Sequence, residues 1–166
     1  MWQKANKKKD KTLDEPGLRG KCIELLARRE YSFSEIEKKL LPLCEDEELI
    51  YKVLEWTIEQ GFQSDERFSK MYVRSKAVSG YGPIRIRLEL NQKGVAEYLI
   101  EQAFEDNMDE INWSDEVDRL IEKKAKNLDM SDMKCKTRVM GYLQRRGFSL
   151  DLIYIGLDRY KEKTAL

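Results

Sequence analysis

The strongest constraint on the fold is a pair of apolar residues, four apart, that recurs three times along the chain: Ile36 and Leu40, Ile86 and Leu90, Val139 and Leu143. That spacing places both members of a pair on one face of a helix. Four residues beyond the second and third pairs stand Gly94 and Gly147, positioned as helix-ending glycines. The central copy carries the fullest punctuation: Gly80, Gly82 and Pro83 open a short helix and Gly94 closes it. Within it Ile86 and Leu90 supply a face to bury, while Arg85, Arg87 and Lys93 point elsewhere. Basic residues sit at like places around the other copies, Lys38 and Lys39 in the first and Arg138, Arg145 and Arg146 in the third. Such a repeat implies small units, each with its own thin core, set in a row.

The flanking sequence supplies two more helices to each copy. In the first, Leu18, Cys22, Ile23, Leu25 and Leu26 space an amphipathic helix to about Arg29, Ser32 or Ser34 caps the middle helix with Glu35 placed for a capping box, and Pro42 stops it. Glu45, Asp46, Glu47 and Glu48 then favour the positive end of a third helix that buries Leu49, Ile50, Val53 and Leu54, with Trp56 beside them, and ends at Gly61. The second unit opens at a Ser64 cap with Phe68, Tyr72 and Val73 inward, and its last helix buries Leu99, Ile100 and Ala103. The third opens at a Ser114 cap, packs Val117, Leu120 and Ile121, and finishes with a helix over residues 148–157. The expected fold is all-α: three tandem three-helix, helix-turn-helix-like repeats in an elongated, curved array, nine helices and no strand. Its divisions are a flexible basic arm over 1–16, broken at Pro16-Gly17, repeats over 17–62, 63–106 and 114–160, an acidic connector over 107–113 and a tail over 161–166.

A charged fraction of 37% alongside 41% hydrophobic residues suits thin units with much surface. Net charge is zero, so no global field draws the chain to nucleic acid or an anionic membrane, but the signs are striped. Residues 67–93 hold seven basic residues against Glu89 alone, residues 97–118 nine acids and no base, and residues 119–146 nine bases against three acids. The arm, with Lys4, Lys7, Lys8, Lys9 and Lys11, reads either as a solubilising tail or as a phosphate-touching element.

Catalytic chemistry finds little support. There is no His, and the three cysteines, Cys22, Cys44 and Cys135, lack metal-knuckle or CxxC spacing, which fits a reducing compartment. The Gly80-x-Gly82 run follows no strand and lacks a third glycine, so it marks a helix boundary. Asp65 and Glu66 are explained by the first turn of a helix. Neither a secretory signal nor a membrane-length apolar run is evident, and the expectation is a soluble cytoplasmic protein, monomeric, not an enzyme, with no cofactor or metal. Basic residues at repeating positions suit an extended polyanion or a filament with periodic acidic pockets. Few Asn or Gln accompany them, chiefly Asn91 and Gln92, so contacts to DNA would be sequence-independent. Tyr81, Tyr142 and Phe148 lie beside these bases, either stacking on nucleobases or filling the core.

The run over residues 81–95, with Arg28-Arg29-Glu30-Tyr31-Ser32 through Leu40 before it and Leu143-Gln-Arg-Arg-Gly-Phe148 after it, resembles the RecX family of bacterial recombinase regulators, over about residues 18–157. The resemblance implies three three-helix repeats that bind the RecA filament along its groove, inhibit its recombinase and ATPase activities, and have some affinity for single- and double-stranded DNA. It implies functional basic positions at Arg28, Arg29, Arg67, Arg85, Arg87, Lys93, Arg145 and Arg146. The charge stripes and repeat positions add Lys38, Lys39, Arg74, Lys76, Lys123, Lys124 and Arg138. The segment Gln63-Ser64-Asp65-Glu66-Arg67-Phe68-Ser69 departs from the family's usual Leu-Asp-Asp before Arg-Phe and Ala after it.

Overall fold

The computed structural model describes residues 12–165, and among these the chain forms nine α-helices and one 3-10 turn, with no strand. The all-α helical repeat expected from the apolar pairs is therefore the class the chain adopts. The arm lysines Lys4 to Lys11 lie outside the described residues. Between Asp65 and Glu66 the chain divides into two compact units.

The first unit holds α1 (Glu15–Arg28), α2 (Phe33–Leu40), the 3-10 turn Leu41–Leu43 and α3 (Glu47–Glu59). Helix α1 starts before the expected Pro16-Gly17 break: Asp14 caps it, accepting the Gly17 N–H at 3.0 Å, and Pro16 sits in the first turn. Proline is tolerated there because the N–H it lacks would find no intrahelical acceptor. Leu18, Cys22 and Leu25 meet Ile36 and Leu40 of α2 and Ile50, Val53 and Leu54 of α3. Ile23, expected inward, is exposed, since Leu18, Cys22 and Leu25 already form the i, i+4, i+7 stripe. Burial pushes the Cys22 thiol up to about 11, so it packs as a small neutral side chain. Ser32 is the cap of α2. Its hydroxyl accepts the Glu35 N–H at 3.1 Å and the Glu35 carboxylate accepts the Ser32 N–H at 3.0 Å, a complete capping box.

The second unit carries α4 (Asp65–Val78, whose first residue closes the first unit), α5 (Pro83–Gln92), α6 (Glu97–Asp106), α7 (Trp113–Ala125), α8 (Met133–Arg146) and α9 (Leu150–Thr164). Helices α4 to α6 enclose Phe68, Val73, Ile86, Leu90, Ile100 and Ala103. Helices α7 to α9 enclose Val117, Leu120, Ile121, Val139, Leu143, Ile153 and Leu157, together with Phe148. Trp113 packs on both clusters, its ring 6.0 Å from Phe104 and 6.5 Å from Phe148. Two three-helix cores thus share one indole.

Two local expectations are corrected in this unit, and the connector before them has a defined geometry. The acidic connector is a tight turn held by Asn107, 1% exposed, whose amide donates to the carbonyls of Lys70 at 3.2 Å and Ala103 at 2.8 Å. Helix α7 is capped by Asn112, whose side-chain oxygen accepts the Ser114 and Asp115 N–H groups at 3.0 and 3.3 Å. Ser114 turns instead to Arg159, whose guanidinium donates to its hydroxyl at 2.6 Å. Finally, the last helix does not stop at Leu157. It runs to Thr164 because Tyr160 still packs on the core and Lys163 reaches Glu122 on α7.

Candidate nucleic-acid interface

The centre of the site is an end-to-end meeting of two middle helices. The first N–H groups of a helix and its last carbonyls have no partners inside it. Here they satisfy one another across units of the repeat: the Gly82 N–H donates to the Arg146 carbonyl at 2.7 Å and the Ile84 N–H to the Gly147 carbonyl at 3.0 Å. The negative end of the α8 dipole therefore faces the positive end of α5. Two side chains reinforce the junction, Arg85 Nη1 donating to the Arg145 carbonyl and Arg146 Nη1 to the Ser79 carbonyl, both at 3.2 Å.

Those arginines begin an alternating stripe of cations and tyrosine rings. The Arg146 guanidinium lies 4.5 Å from the Tyr81 centroid and 5.3 Å from that of Tyr142, whose ring also meets Lys124 Nζ at 4.3 Å. Tyr81 in turn meets Arg85 at 4.4 Å and Lys76 at 4.9 Å. Lys76 lies 5.4 Å and Lys93 5.6 Å from Tyr72. Each ring fixes long basic side chains by cation–π attraction, so less conformational freedom is left to lose on binding an anion.

Glu89 anchors this stripe from within. It accepts the Tyr72 hydroxyl at 2.6 Å and Arg85 Nε at 3.0 Å, and Lys76 Nζ stands 3.6 Å away. Burial alone would raise the Glu89 carboxyl, but the hydrogen bonds from Tyr72 and Arg85 and the charges of Lys76 and Arg85 outweigh it and hold the group below its ordinary 4.5. A depressed carboxylate contributes stability that is present above its ordinary value and lost as pH falls through the lowered one. Melting temperatures recorded from pH 6 downwards should therefore fall as the pH drops below about 4.5, and Glu89→Gln should flatten that fall. An unchanged acid limb in the variant would remove Glu89 from this role.

Five expected site residues thus come together: Lys76, Arg85, Lys93, Lys124 and Arg146. Arg87 does not join them; it pairs with Glu101 and lies 4.3 Å over the Phe104 ring. Arg74 pairs with Glu110 at 2.8 Å. Arg67, Lys123, Arg138 and Arg145 have exposed side chains on α4, α7 and α8. In the first unit Arg28 pairs with Glu24, and Arg29 lies 4.0 Å and Lys39 5.8 Å from the Tyr31 ring, with Lys38 exposed beside Lys39. Neither Tyr81 nor Tyr142 is a free stacking platform, because cations already lie against the rings, and Phe148 is core at 2% exposed. Tyr72 and Glu89 were not expected in the site. A legible signal existed, since Tyr72/Lys76, Tyr81/Arg85 and Tyr142/Arg146 share the same four-residue spacing.

Tandem three-helix units with a cationic face built across two of them define a modular helical repeat protein. Residues 64–103 match the second three-helix domain of RecX and residues 115–155 the third. The chain is 35% identical over 142 residues to the regulatory protein RecX of Pseudomonas putida KT2440, spanning 85% of this chain and 90% of that protein. It is 36% identical over 137 residues to that of Vibrio parahaemolyticus, with 82% and 87% covered. The crystal structure of RecX from Lactobacillus salivarius superposes with a TM-score of 0.76 at 22% identity, over 87% of this chain and 95% of that one. The chain belongs to the RecX family of regulatory proteins.

Proposed function

We propose that this protein inhibits the RecA recombinase by lying along the groove of the RecA–DNA filament, modulating strand exchange, ATPase activity and the SOS response in DNA repair. It acts in the cytoplasm, as a monomer, without a cofactor or catalysis of its own. The observation that carries the reading is the stripe of five cations held against three tyrosines in a chain whose relatives are named regulatory proteins. The repeats over 17–62, 63–106 and 114–160 offer several modest contacts on one chain, and after one docks the next sees its site at high effective concentration. Because α5 and α8 are joined end to end, the second and third repeats engage as one block. The remaining basic positions, Arg28, Arg29, Lys38, Lys39, Arg67, Arg74, Lys123, Arg138 and Arg145, extend the contact.

The same stripe favours a second reading, a sequence-independent DNA-binding protein acting through phosphates alone. Cosedimentation with RecA filaments on single-stranded DNA, against naked DNA, separates the two across a salt series. Phosphate binding loses about 0.7 decades of affinity per contacted phosphate for each decade of salt. A joint protein and DNA interface should keep part of its affinity at salt that abolishes naked-DNA binding. Parallel loss on both targets would leave the plain DNA-binding reading.

A further inference from the structure

The three middle helices agree on their buried faces and disagree on their outer ones. Opposite Ile86 and Leu90, helix α5 turns Ile84 and Leu88 outward, each 57% exposed. Residues four apart form one ridge along a helix, so these two aliphatic side chains make a continuous apolar strip. The matching positions are Ser34 and Lys38 in α2 and Thr137 and Gly141 in α8. Among the middle helices, the apolar ridge belongs to the central one.

Its borders are charged in a defined way. By helical projection Arg87 flanks the ridge on one side and Arg85 on the other, and the exposed amides of Asn91 and Gln92 continue it towards the C-terminal end of α5. Both arginines have acidic partners in the chain, Glu101 for Arg87 and Glu89 for Arg85. The Arg87 pair lies at the surface, with side chains 37% and 52% exposed, so solvent screens it and a carboxylate from outside can take the place of Glu101. An apolar centre edged by guanidinium groups is the composition of a protein-docking patch. A phosphodiester backbone has nothing apolar to set against Ile84 and Leu88.

We infer that the outward face of α5, Ile84 and Leu88 bordered by Arg85 and Arg87, is where this protein seats on a recombinase subunit of the filament, in an apolar depression edged by carboxylates. The rest of the cation–tyrosine stripe then meets the phosphates, with Arg85 at the boundary between the protein-facing and the nucleic-acid-facing surface. The inference rests on the filament reading proposed above.

The test is the full-length chain carrying I84A and L88A together. Alanine keeps the helix, and exposed side chains contribute little to the core, so the melting temperature should hold. Binding to RecA filaments on single-stranded DNA should weaken about 10-fold or more, as expected when central apolar anchors are truncated. Binding to the same DNA without RecA should not change. Equal filament binding by wild type and variant would overturn the inference while leaving the filament reading intact. Equal weakening on filament and naked DNA would also overturn it, by assigning the ridge to nucleic acid. A wild-type dimer that the double variant converts to monomer would make a second copy the occupant. Failure of the wild type itself to sediment with the filament would bring down the functional reading and this inference with it.

Discussion

Gly147→Ala is expected to destabilise the second unit by roughly 2–5 kcal/mol, more than any surface substitution in the chain. Two effects add. Gly147 sits at φ 98°, in the left-handed region where an L side chain is strained by about 1–2 kcal/mol. A Cβ there would also stand 2.6 Å from the Arg85 backbone nitrogen, so α5 would have to move away. That movement breaks the Gly82-to-Arg146 and Ile84-to-Gly147 hydrogen bonds and leaves helix-terminal groups without partners. Gly82→Ala separates the two effects, since its φ of −94° suits any residue and only contact is at issue. Its Cβ would come within 2.5 Å of the Gly147 carbonyl. It should cost about 1–3 kcal/mol by overpacking. The double variant should cost less than the sum, because a junction already opened no longer clashes. Urea midpoints followed by tryptophan fluorescence report this directly through Trp113, which touches both cores. Losses under about 1 kcal/mol in both single variants would mean that the two helix ends do not meet this closely.

This junction marks the limit of what could be read from the sequence. The pairs Ile36/Leu40, Ile86/Leu90 and Val139/Leu143 are all buried to 2% or less, because helical period is a local property and burial follows it. Gly82 and Gly147 were legible only as helix boundaries. Their second role depends on 64 intervening residues returning one helix end to another, which no local pattern encodes. A cut near Asp106 therefore looks clean in the sequence, yet it would strip Trp113 from the α4–α6 core and the carbonyl acceptors from the start of α5. The site was half legible for the same reason. Basic residues could be named, but which of them meet a tyrosine and which meet a carboxylate depends on packing: Lys124 faces Tyr142, whereas Arg74 and Arg87 face Glu110 and Glu101. The departure at Gln63 also acquires a physical reason. That side chain is 3% exposed, and its amide donates to the Tyr31 carbonyl at 3.3 Å and to Asp65 at 2.9 Å, while Asp65 accepts the Phe33 N–H at 2.8 Å. A polar residue is buried there because it ties the end of the first unit to the start of α2.

Replacing Lys76, Lys93 and Lys124 together by glutamine is expected to lower affinity for naked single-stranded DNA by about 10- to 100-fold at low salt. Lysines are the informative choice, because Arg85 and Arg146 also hold backbone carbonyls of the junction and their loss would mix folding with binding. Glutamine keeps most of the side-chain length and removes the charge that each tyrosine face attracts. With three fewer phosphates neutralised on a single strand, the slope of log affinity against log salt should become shallower by about 2, and that change is independent of protein concentration or active fraction. Sequence should not matter, since phosphate contacts carry no base information. Lys161→Gln in α9 serves as the control: it removes a charge from an exposed position away from the stripe and should leave slope and affinity alone. If the triple variant melts like the wild type and keeps its slope, the stripe only orders tyrosines at a solvated surface. Binding would then have to come from the exposed cations outside it, Arg67, Lys123, Arg138 and Arg145, and the same salt series on that set would locate it.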